Sequence, residues 1–266
     1  MKIVVCVKQV PDTWAEKRLA PADSTVDRES VDGVINELDE YAIEEALRIK
    51  ESAGGADSTV TVLTMGPEKA TESIRKALSM GADAAVHLLD DALHGSDALQ
   101  TSYALAQALG TLEWDLVVLG SESTDARMSV LPAMLAERLG VSQLTFARKV
   151  EVAGSNGSTT VRIERLTEAG YDVIEGSTPA VISVVEKINE PRYPSFKGIM
   201  AAKKKPLTTL TIADAGIESG GVGLAAASTA VTGFTEAPPR SAGTIVNDEG
   251  EGGRKLAEFL AAKKFV

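Results

Sequence analysis

The chain has 266 residues, 44% of them hydrophobic, with 27 Lys and Arg against 38 Asp and Glu for a net charge of −11. That acidic balance argues against general affinity for nucleic acid or anionic membrane surfaces. One cysteine, Cys6, excludes an internal disulfide framework, and with only two histidines it leaves too few soft ligands for a zinc site. The opening MKIVVCVKQV reads neither as a signal peptide nor as a membrane span, and no later run approaches about 18 apolar residues, so the expectation is a soluble cytoplasmic chain.

Strand-like and helix-like segments alternate through the first half. Lys2–Val7 is a short β-branched run closed by Pro11. Leu38–Lys50 carries Leu38, Ala42, Ile43, Ala46, Leu47 and Ile49 at mostly helical spacing, with acids early and bases late to suit the helix dipole. Ser58–Leu63 reads as a strand, and Gly66–Pro67 punctuates the chain before a helix over Glu68–Met80 that stops at Gly81. Ala84–Leu89 is a third strand, followed by a helix over Ser96–Leu109 with Ser96 as its N-cap and Gly110 as its stop. Asp115–Leu119 is a fourth strand and Ser129–Leu139 a fourth helix, ended by Gly140. Repeated βα units with continuous apolar strands specify the α/β class: a mainly parallel, doubly wound sheet with helices on both faces.

After Gly140, Arg148–Val152, Thr159–Arg165, Tyr171–Ile174 and Ala180–Val185 read as strands joined by short turns such as Gly154–Gly157. The expectation is a set of added, partly antiparallel strands extending the same domain. Glu190–Pro206 holds three prolines in 17 residues and is irregular. Gly220–Gly253 is rich in Gly, Ala, Ser and Pro, with too little apolar periodicity for a core, and a short helix over Arg254–Lys264 closes the chain. That tail is either a disordered linker or an arm ordered by packing on a partner chain.

The sequence offers no self-contained catalytic constellation. There is no G-x-x-x-x-G-K-[ST], no G-x-S-x-G elbow, and no G-x-G-x-x-G after the first strand, where the turn reads KQVPDTW. His87 falls in a strand and His94 in a turn, where a satisfied or solvent-facing imidazole outweighs a catalytic one. Cys6 sits in an apolar run and reads as packing, while Glu44–Glu45 and Asp90–Asp91 are adjacent rather than convergent and read as solvated faces. In an open parallel sheet, ligands sit beyond the carboxyl ends of the strands, where the strand order switches. The candidate loops are therefore Lys8–Trp14, Asn36–Leu38, Met65–Pro67 and Gly120–Ser129. The last places Ser121, Ser123, Thr124 and Ser129 where a helix N-terminus favours an anion, a pattern it shares with ordinary capping turns. Lys203–Lys205 is by itself a solvated face, but its position after a Pro- and aromatic-bearing loop favours docking slightly.

Five segments in order carry a family resemblance: VKQVPDT at Val7–Thr13, INELDEYAIEEALRIKE at Ile35–Glu51, TMGPEKATESIRKALSMGAD at Thr64–Asp83, PAVISV at Pro179–Val184 and NEPRYPSFKGIMAAKKKP at Asn189–Pro206. Together they resemble the β-subunit of electron transfer flavoproteins. The resemblance implies an adenine-nucleotide α-hydrolase-like fold and a heterodimer with a larger α-subunit that holds most of the contacts to a redox-active FAD. It also implies a structural AMP in this subunit. Electrons would arrive from dehydrogenases such as acyl-CoA dehydrogenases of fatty acid oxidation and leave toward a membrane quinone oxidoreductase, with no membrane insertion or nucleic acid binding by this chain and no catalytic residues of its own.

Carried over by position, the AMP site would draw on Cys6, Val7, Asn36, Glu37, Leu38, Asp39 and Met65, together with the loop Ser121, Glu122, Ser123, Thr124, Asp125, Ala126, Arg127, Met128, Ser129, Val130 and Leu131. The family usually places Gly, Thr or Gln where this loop has Ala126–Pro132; the larger side chains obstruct close backbone approach, and Arg127 offers a compensating charge. The resemblance assigns Pro191, Arg192, Tyr193, Phe196, Ile199 and Met200 to partner binding, with Phe196 as the apolar anchor of a dehydrogenase-recognition loop. Leu166 stands where some relatives have a glutamate that tunes the contact between subunits, so that contact is either absent here or supplied by Glu164 or Glu168. The domain organisation expected is an α/β nucleotide-binding domain over 1–188, the recognition loop and basic run over 189–206, and an arm over 207–266 packing on the partner. The alternatives are a flavin-bifurcating relative with a second FAD in place of AMP, and a stand-alone adenine-nucleotide-binding protein. The first needs room at Gly120–Pro132, and the second a glycine- and serine-rich phosphate loop.

Overall fold

The computed structural model describes residues 1–52, 57–155, 158–236, 238, 243 and 245–266. Within Met1–Val231, the larger of two compact units, β1 (Lys2–Cys6) leads into a small antiparallel pair, β2 (Gln9–Pro11) and β3 (Gly33–Ile35). Then follow α1 (Glu37–Ser52), β4 (Thr59–Met65), α2 (Thr71–Met80), β5 (Ala84–Leu88), α3 (Ala98–Gly110), β6 (Leu116–Gly120) and α4 (Leu131–Leu139). The chain runs on through β7 (Ser142–Ser155), β8 (Ser158–Thr167) and β9 (Gly170–Ser177), and returns as β10 (Ala180–Val184). It then forms a short helix, α5 (Phe196–Ala202), and the edge strand β11 (Leu207–Leu210). The smaller unit, Thr232–Val266, carries α6 (Gly252–Ala262).

Among the described residues, nine strands form one sheet in the order β11-β5-β4-β1-β6-β10-β7-β8-β9. From β11 to β7 every pairing is parallel, and β8 and β9 add on antiparallel, as the α/β reading expects. The central strands read as unbroken apolar runs because both of their faces are covered. Ile3 and Val5 of β1 pack with Ile43, Ile74 and Leu78 of α1 and α2 on one face. Val4 and Cys6 pack with Leu105, Leu109 and Leu135 of α3 and α4 on the other. Each such side chain taken fully from water contributes about 1.5–3 kcal/mol. β7 changes partners along its length. Its first half pairs with β10 and its second with β8, across an irregularity at Phe146, whose N–H donates to Ser183 Oγ at 2.9 Å. Such a bulge increases local twist and lets the strand leave the parallel register.

Several local expectations are corrected. α3 is capped by Asp97, not Ser96: the Asp97 carboxylate accepts from Gln100 N (3.1 Å) while Gln100 Oε1 accepts from Asp97 N (3.2 Å), a reciprocal box that needs the three-residue spacing. Ser96 Oγ instead accepts from Gly223 N. α4 begins at Leu131 rather than Ser129, because Arg127 and Ser129 take positive φ and Pro132 suits only a helix start. The segment expected to be an irregular loop contains α5, and residues 207–210, expected to open the arm, join the sheet as β11 beside β5. The stretch from 207 to 231 therefore belongs to the larger unit, and the smaller one starts at Thr232. Of the expected turn Gly154–Gly157, the first two residues end β7 and the last two lie outside the described residues. Glu44 and Glu45 are buried rather than solvated, because the segment after β10 covers α1. Among the described residues no helix is long and apolar enough to cross a membrane, and no three His, Cys, Asp or Glu side chains gather as a metal site.

Asp97 also accepts from Ser228 N (2.8 Å) and Thr229 N (3.0 Å), so one carboxylate caps α3 and pins the segment after Val222. Asp97→Ala should cost about 1–2 kcal/mol from the lost cap alone, read as a lower urea midpoint with an unchanged slope.

Candidate functional site

β1 connects leftward in the sheet to β4, whereas β6 lies on its other side, so the strand order switches between β1 and β6. The crevice at such a switch is where an open α/β sheet receives a ligand. Here the two strand ends are joined by Asp39, in the first turn of α1. Its Oδ2 accepts from Lys8 N at 2.8 Å and its Oδ1 from Gly120 N at 3.2 Å. A Cβ on residue 120 would lie 2.7 Å from both Asp39 Oδ1 and Leu38 Cβ, so only glycine lets the helix start come this close. Burial drives the Asp39 carboxyl up to about 7, against the pull of donors from Lys8, Asn36 and Gly120. Burial likewise pushes up the thiol of neighbouring Cys6, which rules it out as a ready nucleophile.

The loop after β6 is held from below by Asn36, which donates through Nδ2 to Glu122 O (2.9 Å) and accepts at Oδ1 from Thr124 N (3.1 Å). From above, Lys8 Nζ reaches Ser123 Oγ (3.2 Å) and Asp125 Oδ1 (2.7 Å), Arg28 Nη2 reaches Asp125 Oδ2 (2.9 Å), and Lys17 Nζ reaches Thr124 O (2.8 Å). Burial opposes ionisation of Asp125, but Lys8 above all, with Ser123 and Arg28, holds its carboxyl well below the usual carboxylate range. Lys8 itself is lowered by burial, which outweighs its attraction to Asp125.

The structure thus gathers Cys6, Val7, Asn36, Asp39, Ser121 and Thr124 as buried residues about the switch point. Leu38, Met65, Glu122, Ser123, Asp125, Ser129, Val130 and Leu131 are partly buried, and Glu37, Ala126, Arg127 and Met128 are exposed. Arg127 is not poised as a free charge: its guanidinium pairs with Glu122 Oε1 at 3.1 Å, and Ser129 Oγ donates to Glu122 Oε2 at 3.1 Å. The cations at the crevice are Lys8, Lys17 and Arg28, which sequence reasoning did not single out. Lys17 and Arg28 come from a connection between β2 and β3 with no regular pattern, so only the fold brings them to Thr124 and Asp125. The one buried unpartnered side-chain atom of this loop among the described residues is Thr124 Oγ1.

A second surface lies on the α1 and α2 face. Phe196, Ile199 and Met200 share one side of α5 by their i, i+3, i+4 spacing. Phe196 is 80% exposed, and the preceding Tyr193 is 95% exposed. α5 approaches α2 so closely that a Cβ on Gly198 would lie 2.5 Å from Ser79 O. Of the basic run, Lys205 is engaged within the fold. Its Nζ donates to Leu78 O and Ala82 O, closing the carboxyl end of α2.

A sequence profile of the electron transfer flavoprotein domain matches residues 23–215, spanning Asp39, the loop after β6 and α5. The "Electron transfer flavoprotein subunit beta" of Mycobacterium tuberculosis is 56% identical over 267 residues, covering 99% of both chains. The chain belongs to the electron transfer flavoprotein β-subunit family. The protein of the same name from Megasphaera elsdenii is 36% identical over 277 residues and all of both chains, and "Protein FixA" of Azorhizobium caulinodans is 38% identical over 82% of this chain and 78% of its own. A β-subunit of this family has a role in electron transfer, and in this chain one carboxylate, Asp39, braces the switch point.

Asp39→Asn offers one acceptor oxygen where two N–H groups need two, so it should cost about 1–3 kcal/mol at neutral pH. Because folding raises the Asp39 pKa to about 7, this group's contribution is full below the unfolded value near 4 and is lost as pH rises through 7. The stability gap between wild type and Asp39→Asn, measured by urea unfolding, should narrow from pH 4 to pH 8.

Proposed function

We propose that this chain is the β-subunit of a heterodimeric electron transfer flavoprotein whose larger α-subunit holds most of the FAD. FAD supplies the redox chemistry there. The heterodimer would thereby pass electrons from primary dehydrogenases, such as acyl-CoA dehydrogenases, toward a membrane quinone oxidoreductase. The present chain supports the carrier structurally and receives the electron donor, without catalytic residues of its own. The observation that carries the donor-binding part is Phe196, an aromatic left 80% exposed on a helix otherwise fastened to the body. A large rigid side chain presented this way fits a partner's groove, where such anchors dominate binding. The heterodimer is supported by the smaller unit, Thr232–Val266, where α6 has no buried residue and exposes Leu256 and Phe259. The proposed domain roles are nucleotide binding by the sheet's carboxyl edge, donor recognition by the segment around α5, and partner packing by the carboxyl-terminal unit.

The residues about the switch point fit an adenine nucleotide. The unpartnered Thr124 Oγ1 is available for a polar group, and Asn36 and Asp39 hold the loop and helix start in place around it. Lys8 and Arg28 set a positive field beside the loop although Asp125 already engages both. AMP there would act as structure, filling the crevice that the strand switch leaves open. Cys6, Val7, Met65 and the 121–131 loop would line it.

Co-expression with a candidate α-subunit should give a yellow 1:1 heterodimer with one FAD, and about one AMP should be released on denaturation. Two flavins per heterodimer would replace AMP by a second FAD, and a colourless monomer that binds adenine nucleotide would overturn the carrier reading. In that heterodimer Phe196→Ala should lower kcat/KM with the dehydrogenase by roughly tenfold or more, the loss of one anchor worth about 2 kcal/mol, with FAD content unchanged. A wild-type rate would refute the anchor.

A further inference from the structure

α5 has seven residues and buries only Ala202, too little to hold its own conformation or orientation. A shallow depression of about 410 Å³, lined in part by Tyr193, Lys197, Gly198 and Ser79, opens beside it, and the contact with α2 is close at Gly198. Its placement depends on polar tethers at its two ends. On the far side, Arg75 Nη1 donates to Ala202 O at 2.8 Å and Lys205 Nζ to Leu78 O at 2.9 Å. On the near side, Asn189 Nδ2 donates to Glu45 Oε2 (2.9 Å) and Tyr41 O (3.0 Å).

Arg192 completes the near side. Its Nε and Nη2 grip Glu44 at 2.7 and 3.0 Å, its Nη1 and Nη2 grip Glu51 at 2.7 and 3.2 Å, and its own N–H donates to Glu44 Oε2 at 3.2 Å. Glu44 is 5% exposed and lies beneath this fork. Glu44 also lies 3.5 Å from Arg48 Nε one turn on, but the closest contacts to its carboxylate are those of Arg192. A carboxylate taken from water is costly unless matched, and a bidentate guanidinium matches it with fixed geometry.

We propose that Arg192, held by Glu44 and Glu51, is a positioning residue that fixes the orientation of α5 and so aims Phe196, rather than a contact made to the electron donor. The proposal rests on the donor-recognition reading of α5. A planar fork engaged with two glutamates has little capacity left for a partner, whereas Tyr193, next in sequence, is nearly fully exposed.

The test uses the holo-heterodimer, with the carrier as the varied substrate of an acyl-CoA dehydrogenase. Arg192→Lys keeps the charge and loses the fork, and Glu44→Gln alters a group the donor cannot reach. Each should raise KM for the carrier roughly tenfold, with a smaller change in kcat, as expected for a misaimed contact. The double variant should be no worse than either single one. Amide exchange over residues 196–202 should quicken in both, in the absence of any donor. Arg192→Lys at wild-type KM, or an effect of Glu44→Gln that adds fully to that of Arg192→Lys, would overturn the proposal. If Glu44→Gln does not fold, Arg192→Lys and Glu51→Gln decide it by exchange alone: unchanged protection of α5 in both refutes positioning. A wild-type rate for Phe196→Ala together with faster α5 exchange in Arg192→Lys would instead sink the donor-recognition reading and leave the tether standing.

Discussion

The constraint on which the rest of the structure depends is the bridge made by Asp39 between Lys8 N and Gly120 N. Two parallel strands that feed helices on opposite faces must part at their carboxyl ends, and each leaves backbone N–H groups without a sheet partner. A carboxylate in the first turn of α1 accepts from both strands at once, so it ties helix, β1 and β6 together where the sheet opens. Its burial makes the arrangement expensive for the charged form, which is why its pKa rises although it faces only donors. Gly120 has no Cβ because the bridge occupies that space.

From this bridge the crevice is assembled in layers. Asn36, three residues before Asp39, fastens the underside of the loop after β6 through its amide, and Lys8, next to the bridged strand end, fastens the upper side through Asp125. The loop needs no helix N-cap of its own: Glu122 gathers Arg127 and Ser129, and the backbone takes positive φ at both. Such strain persists only where the surroundings over-determine it. The outcome is a switch point held by side-chain charges around a single required glycine, Gly120, unlike the usual glycine-rich phosphate-binding turn.

The same economy governs the proposed donor-facing surface. α1 serves three structures at once: its first turn braces the switch point, its apolar side packs on the sheet, and its outward glutamates hold the segment that carries α5. Acidic residues spaced along one helix thereby link the proposed nucleotide crevice to the proposed docking helix through rigid structure. The proposed role, placing a flavin and a partner while the redox chemistry resides in the cofactor, would call for positioning of this kind.

The pattern of the sequence was sufficient for the α/β class, for the helices and sheet strands up to Gly140 apart from the small β2–β3 pair, and for the added antiparallel strands, because continuous apolar runs and helical spacing are local properties of a chain buried on two faces. Five ordered segments were sufficient for the family. The loops at the strand ends were also legible as candidates, since the switch-point rule depends on connectivity alone. Tertiary structure decided which charges meet. Glu44 and Glu45 read as solvated until the segment after β10 was seen to cover them, and Arg127 read as a free cation until Glu122 took it. Arg28 meets Asp125 across 97 residues and Arg192 meets Glu44 across 148. Short strands such as β3 and β11, and the seven-residue α5, exist only through neighbours that supply their partners, for so few residues cannot offset the entropy of ordering themselves. The sequence by itself determined what is apolar and where it recurs; which ionic groups are matched follows from pairings between distant segments that no local pattern encodes.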